Sequence, residues 1–356
     1  MESCPVTSEQ PQGPIASTTA LARHLGLSRW TISRVLNGHP EVKPETSRRV
    51  REAMIQLGFV PSPVGRALRG GRTGMVGVCF QALGSPIVAR KIATLQRVLR
   101  GAGFRALFEL TDGHAEIELE VIRHFIAMKL DGLVLVGGMT SENDAAIMAM
   151  LTQHRIPVVL IDPARDYALP TVELDREHGM RLAFEHLLEL GHTRFALLGI
   201  DEDVAYGRAR WEGIRKVAKS RRISIERQIT TLTEKAPEAL DFAYGRRLAE
   251  RYLALADRPR AVLALNDQVA IGAMTRLQQE GLAVPAEVSI VGFDNLEVTA
   301  HVNPRLTTID QQVEAIMTHA VELLTRHTAS DGPATVEKAR VVMPALITGE
   351  STGPAT

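Results

Sequence analysis

Residues 17–38 read STTALARHLGLSRWTISRVLNG, and their spacing predicts two short helices separated by a tight break. Leu21, Ala22 and Leu25 recur at helical intervals before Gly26 interrupts them. Ser28 suits the N-cap of the second helix, because its hydroxyl can accept a hydrogen bond from a free first-turn amide. Ile32, Val35 and Leu36 make one apolar face and Asn37-Gly38 ends the run. Arg29, Trp30, Thr31, Ser33 and Arg34 are left outward. A helix, a glycine-containing turn and a second helix with a polar, basic outer face form the layout whose second helix enters a DNA major groove. Ser28, Arg29, Trp30, Thr31, Ser33, Arg34 and Asn37 are therefore the expected DNA-contacting residues. Arg29 can grip guanine through two hydrogen bonds, and Trp30 offers an apolar face to a thymine methyl. The plainer alternative for Trp30 is a prop packed on the neighbouring helix.

A third helix is expected from Pro44, where a first-turn proline costs no hydrogen bond, to Gly58. Its Arg48, Arg49 and Arg51 face outward, as a solvated face or as phosphate contacts. Charge supports the second use. The whole chain of 356 residues balances 41 Lys and Arg against 41 Asp and Glu, yet residues 17–72 hold 10 basic and 3 acidic residues, net +7. Beyond Arg72 stand 31 basic and 36 acidic residues. A basic head on a mildly acidic body suits a head that meets phosphate.

The run Leu27-Ser28-Arg29-Trp30-Thr31-Ile32-Ser33-Arg34-Val35-Leu36-Asn37, followed by Val42-Lys43-Pro44-Glu45-Thr46 and Gly58-Phe59-Val60-Pro61, resembles the lactose-repressor (LacI/GalR) family, and the resemblance extends along nearly the whole chain. It implies that Ser62 to Arg69 form a hinge helix on operator DNA, with Arg66 on the backbone and Leu68 wedged into the minor groove. Such a wedge unstacks a base step and kinks the duplex. Departures from the pattern stand at Ala20, Lys43, Phe59, Ser62 and Gly65. Lys43 is a weak N-cap, and Gly65 costs a helix about 1 kcal/mol relative to alanine.

After Gly70-Gly71-Arg72-Thr73-Gly74 the chain alternates β-branched runs with amphipathic helices, as in βα units on a parallel sheet. MVGVCF, RALFEL, GLVLVGG, PVVLID, RFALLGI, AVLALND and EVSIVGFD read as strands, and Glu116–Met128 and Gly179–Leu190 as helices. The resemblance implies a body like the type I periplasmic binding proteins. The expected fold is an all-α helix-turn-helix head with a two-lobed α/β body. The expected divisions are a tail at 1–16, the head at 17–61, hinge and linker at 62–72, an effector-binding and dimerisation body at 73–350, and a tail at 351–356. Within the body, 73–173 plus 305–325 make the first lobe and the remainder the second.

Ligands of open parallel sheets bind beyond the strands' carboxyl ends. Asp162, Asn266, Asp267 and Asp294 end or follow strands there, and Ser85 lies near the end of the first. The family resemblance implies that Asp162, Asn266, Asp294 and Arg210 contact an effector, and that Leu174 and Leu240 occupy positions where relatives often place aromatic rings. Asp267 reads better as a helix cap, and Ser85 could equally cap the helix beginning at Pro86. Carboxylates and an amide beside an arginine suit a hydroxyl-rich ligand, so a sugar or sugar derivative is expected.

No nucleophile elbow, metal-ligand spacing, Walker loop or dinucleotide fingerprint is legible, so no enzyme, cofactor or metal is expected. Cys4 and Cys79 offer no disulfide framework. The first residues lack the basic start and apolar core of a signal peptide, and no apolar run is long enough to cross a membrane, so a cytoplasmic location is expected. The predicted function is an effector-controlled transcription repressor that binds double-stranded operator DNA as a homodimer. The rivals are a ligand-independent regulator with a decayed pocket and a solute-binding receptor.

Overall fold

The computed structural model describes residues 17–36, 39–60, 72–139, 142–235, 239–329 and 339–355. The chain divides into two compact units, one ending at Thr73 and the other running from Gly74 to Thr356.

The first unit holds helices α1 (Thr18–Leu25), α2 (Arg29–Leu36) and α3 (Pro44–Gln56). Ser17 caps α1 by accepting from the Ala20 amide at 3.1 Å. Gly26 ends the helix with φ +63°, a left-handed conformation that a Cβ would disfavour. Ser28 accepts from the Thr31 amide at 3.0 Å, as its spacing predicts. Lys43 makes no side-chain cap to α3. Leu21, Ala22, Leu25, Ile32, Val35, Val50, Ala53 and Phe59 are buried together, one apolar stripe from each helix and a ring from the segment after α3.

The second unit contains two parallel sheets. Its elements are β1 (Met75–Phe80), α4 (Pro86–Gly101), β2 (Arg105–Leu110), α5 (Ala115–Ala127), β3 (Gly132–Val136), α6 (Asp144–His154), β4 (Val158–Ile161) and β5 (Thr171–Leu174). There follow α7 (Arg176–Glu189), β6 (Phe195–Leu198), α8 (Ala205–Arg221), α9 (Ile225–Gln228), β7 (Ile229–Leu232), α10 (Phe242–Leu253), β8 (Ala261–Ala264) and α11 (Asp267–Gln279). The last are β9 (Ser289–Val291), β10 (Thr308–Asp310), α12 (Val313–Ala329), β11 (Ala339–Val342) and β12 (Ala345–Ile347).

The first sheet has the order β11-β5-β4-β3-β1-β2 and the second β7-β6-β8-β9; β10 and β12 form a separate antiparallel pair. Strands β3, β4, β6 and β8 are buried along their whole length, which is why they read as unbroken apolar runs. In each sheet the order reverses beside the first strand, between β1 and β3 and between β6 and β8. Those are the switch points at which crevices open beyond the carboxyl ends.

One expectation needs correction. Residues 326–350 are expected in the second lobe, but Ala339–Val342 pairs in parallel with Thr171–Leu174 at the edge of the first sheet. α12 packs on α4 and on β3, β4 and β5, so the first lobe takes more of the late chain than 305–325. The β11 sequence ARVV is short and half exposed, so its period carries little signal.

Candidate ligand cavity and nucleic-acid interface

In the first unit, α2 presents its expected face. Trp30 is 64% exposed, which removes the alternative of a packed prop. The Arg34 guanidinium lies 3.8 Å above the Trp30 ring and pairs with Glu41, so Arg34 steadies the ring from one side. Arg29, Trp30 and Ser33 line a recess with Thr18 from α1. Ser28 and Thr31 share a hydroxyl–hydroxyl bond of 2.9 Å. Arg48, Arg49 and Arg51 are exposed, as expected, and Arg49 also donates to the Leu25 carbonyl at 2.9 Å, satisfying a free acceptor at the end of α1. Asn37, Arg66 and Leu68 lie outside the described residues.

In the second unit a cavity of about 460 Å³ opens at the two switch points. Gln81 and Ser85 enter it after β1, Gly137 after β3 and Asp162 after β4. Arg210 comes from α8, Leu240 precedes α10, and Asn266 follows β8. Asp294 enters from the segment after β9 and Gln311 from the segment after β10. Of the expected effector residues, Ser85, Asp162, Arg210, Leu240, Asn266 and Asp294 are thus brought together. Leu174 is not among the lining residues: it is 4% exposed, and its amide donates to Asp162 Oδ1 at 2.9 Å.

The cap expected of Asp267 falls on Asn266 instead. Asn266 caps α11, its Oδ1 accepting from the Val269 amide at 2.8 Å while its Nδ2 donates to the Leu240 carbonyl at 2.9 Å. Asp267 is fully buried and accepts from Thr308 Oγ1 and, at 2.8 Å, from the Leu296 amide. Ser85 makes no side-chain cap on α4, so its hydroxyl is not committed there.

Asp162 sits at φ +51° at the end of β4, a conformation Asp tolerates better than most residues. Its Oδ2 accepts from Lys91 Nζ at 2.5 Å and its Oδ1 from Arg176 at 3.1 Å. Burial opposes ionisation of this carboxyl, but Arg176 and Lys91 overcome it and hold the group well below the usual carboxylate range. Asp294 behaves oppositely. Burial raises it although Arg210 and Gln311 favour its charge, and burial together with the Asp294 charge raises Asp267. The Arg210 guanidinium lies 4.3 Å over the Phe293 ring.

Lys91, Arg176 and Gln311 were missed in the sequence. Lys91 could have been found, because it falls on the Ile87, Leu95 and Leu99 stripe of α4, all four being buried. A charge on an apolar stripe needs a buried partner. Arg176 and Gln311 lie beside element ends and carry no comparable signal.

Two family models match the chain. One, described as bacterial regulatory proteins of the lacI family, covers residues 20–62; the other, a periplasmic binding protein-like domain, covers 184–352. The HTH-type transcriptional repressor PurR of Aliivibrio fischeri is 29% identical over 315 residues, 87% of this chain and 91% of the relative. Catabolite control protein A of Staphylococcus epidermidis is 26% identical over 325 residues, 91% of this chain and 95% of the relative. The Lac repressor dimer bound to operator and the anti-inducer ONPF superposes with a TM-score of 0.81 at 24% identity, covering 95% of this chain and 99% of that one. A LacI-family regulator from Sanguibacter keddieii gives 0.67 at 29% identity, covering 80% and 100%. No helix among the described residues is long and apolar enough to cross a membrane. With the helix-turn-helix at one end and the two-sheet body after it, the chain carries a domain of the lacI family of bacterial regulatory proteins followed by a periplasmic binding protein-like domain.

Proposed function

We propose that this protein is a transcription repressor that reads operator DNA through α2 and is controlled by a small hydroxylated ligand, a sugar or sugar derivative, in the body cavity. The observation that carries the reading is one chain holding both an exposed basic reading face and a ligand-sized cavity at the switch points of parallel sheets. Ser28, Arg29, Trp30, Thr31, Ser33, Arg34 and Asn37 serve the major groove. Arg66 and Leu68 serve the hinge. The operator-bound Lac repressor is a dimer, which supports a homodimer on a near-palindromic operator in the cytoplasm. The cavity performs no catalysis. It works by linkage: the ligand shifts DNA affinity only as far as its own affinity differs between the DNA-bound and released forms.

A decayed pocket is the reading disfavoured by the lining, since charged groups that have lost their ligand are a standing cost in a buried site. The test is selection of duplexes from a random pool at fixed salt, with wild type, Arg29→Ala and Leu68→Ala side by side. A near-palindromic motif is expected, weakened at its outer bases by Arg29→Ala and at its centre by Leu68→Ala. Binding that enriches no motif and follows salt alone would overturn the reading.

A further inference from the structure

Asp162 is placed where a neutral sugar hydroxyl would look for an acceptor, yet its oxygens are already engaged. Oδ1 accepts from the Leu174 amide and Arg176, and Oδ2 accepts from Lys91. All three ionic side chains are largely buried, at 6% exposure for Asp162, 7% for Lys91 and 21% for Arg176. One carboxylate therefore holds two cations, and each cation keeps further N–H donors, since an ammonium has three and a guanidinium five.

The other side of the cavity does not restore the balance. Arg210 adds a third cation to the described lining, where the carboxylates are Asp162 and Asp294. Asp294 Oδ1 accepts from Gln311 Nε2 at 2.5 Å, and burial resists its charge while Arg210 favours it. Behind it Asp267 is raised by burial and by Asp294, and Glu173, near Arg176 but outside the lining, is raised by burial too. Phe80 is the aromatic ring in the described lining, and the remaining apolar wall is aliphatic, from Ile87, Val88, Val136, Leu240 and Leu265. Gln81 and Ser85 remain for hydroxyl groups, and the Gln311 Oε1 is buried without a hydrogen-bond partner.

We propose that the ligand is a small hydroxylated anion whose carboxylate or phosphate seats against Lys91 and Arg176. The proposal rests on the cavity being a ligand site, as argued above. The anion supplies the charge that Asp162 alone does not, and charge-assisted bonds to a lysine and an arginine are stronger than neutral ones. A volume of about 460 Å³ suits such a molecule.

The experiment is calorimetric titration and thermal shift of the full chain with D-gluconate, D-glucose 6-phosphate, D-glucose and hypoxanthine. Saturable binding of gluconate or glucose 6-phosphate is expected, at least about tenfold tighter than glucose, and whichever binds distinguishes carboxylate from phosphate. Lys91→Met should weaken that probe about tenfold or more, and Lys91→Arg should largely retain it; if Lys91→Met does not fold, Arg176→Gln takes its place. Glucose or hypoxanthine binding as well as the anions would overturn the proposal while leaving the cavity a ligand site. Unchanged gluconate or glucose 6-phosphate binding in the charge-removing variant would overturn it as well. Binding of none of the four would remove both the proposal and the ligand-site reading.

Discussion

Asp162 and Asp294 have the same side chain and opposite responses to burial, because what stands beside them differs. Two cations share Asp162, so its folded pKa lies below the unfolded value. Its contribution to stability is complete above the ordinary aspartate pKa of about 3.9 and is lost as pH falls below it. Asp267 and Asp294 are raised, so their contribution is complete below the ordinary range and is lost as pH rises through their higher folded values. Urea unfolding across pH should therefore show stability declining from mildly acidic to neutral pH, with Asp267→Asn less stable overall and showing a shallower decline. Asp162→Asn removes the carboxylate bonded to both Lys91 and Arg176 and should cost about 3–5 kcal/mol at neutral pH. Trp30 is a contrasting case. At 64% exposure, its replacement by alanine should change unfolding free energy by no more than about 0.5 kcal/mol. The same change should weaken operator binding about tenfold, roughly 1.4 kcal/mol, in a fixed-salt titration.

Elements meet where side chains permit. α10 and α11 pack so closely that a Cβ on Gly245 would lie 2.2 Å from the Val269 carbonyl oxygen, and one on Gly272 would lie 2.1 Å from that of Phe242. Backbone cannot yield as a side-chain tip can, so Gly245→Ala and Gly272→Ala should each cost about 1–3 kcal/mol in denaturant unfolding. Gly101→Ala, where nothing lies within 4 Å, should be close to neutral. Neither close approach was legible, since a glycine in a helix reads as a weakness until its neighbour is known. The interior strands were legible, because burial on both faces leaves an apolar run. β5, β7 and β10 to β12 were not, being short or partly exposed and placed by pairing with strands distant in sequence.

At the scale of the molecule, two units with separate apolar cores should unfold as separable transitions. Differential scanning calorimetry of the full chain with a cavity ligand at about one hundred times its Kd should raise the transition of residues 74–356 by the equivalent of about 2.7 kcal/mol. The transition of the helix-turn-helix unit should stay in place. A ligand that raised both equally would mean that the two cores melt as one.

The sequence alone determined what depends on local order: the Ser28 cap, the Gly26 break, the basic outer face of α2, and the alternation of strands and helices. Hydrogen-bond partners three residues away and apolar periods of 3.6 are written along the chain. Six of the seven expected effector residues line the cavity: Ser85, Asp162, Asn266 and Asp294 follow strand ends that converge at a switch point, whereas Arg210 and Leu240 were expected from the family resemblance alone. Only the tertiary structure decided which of them hold charge and against what. Lys91 and Asp162 are 71 residues apart, and Asp294 meets Gln311 across 17. A carboxylate is set low or high by neighbours that folding brings to it, and no periodicity along the chain records them.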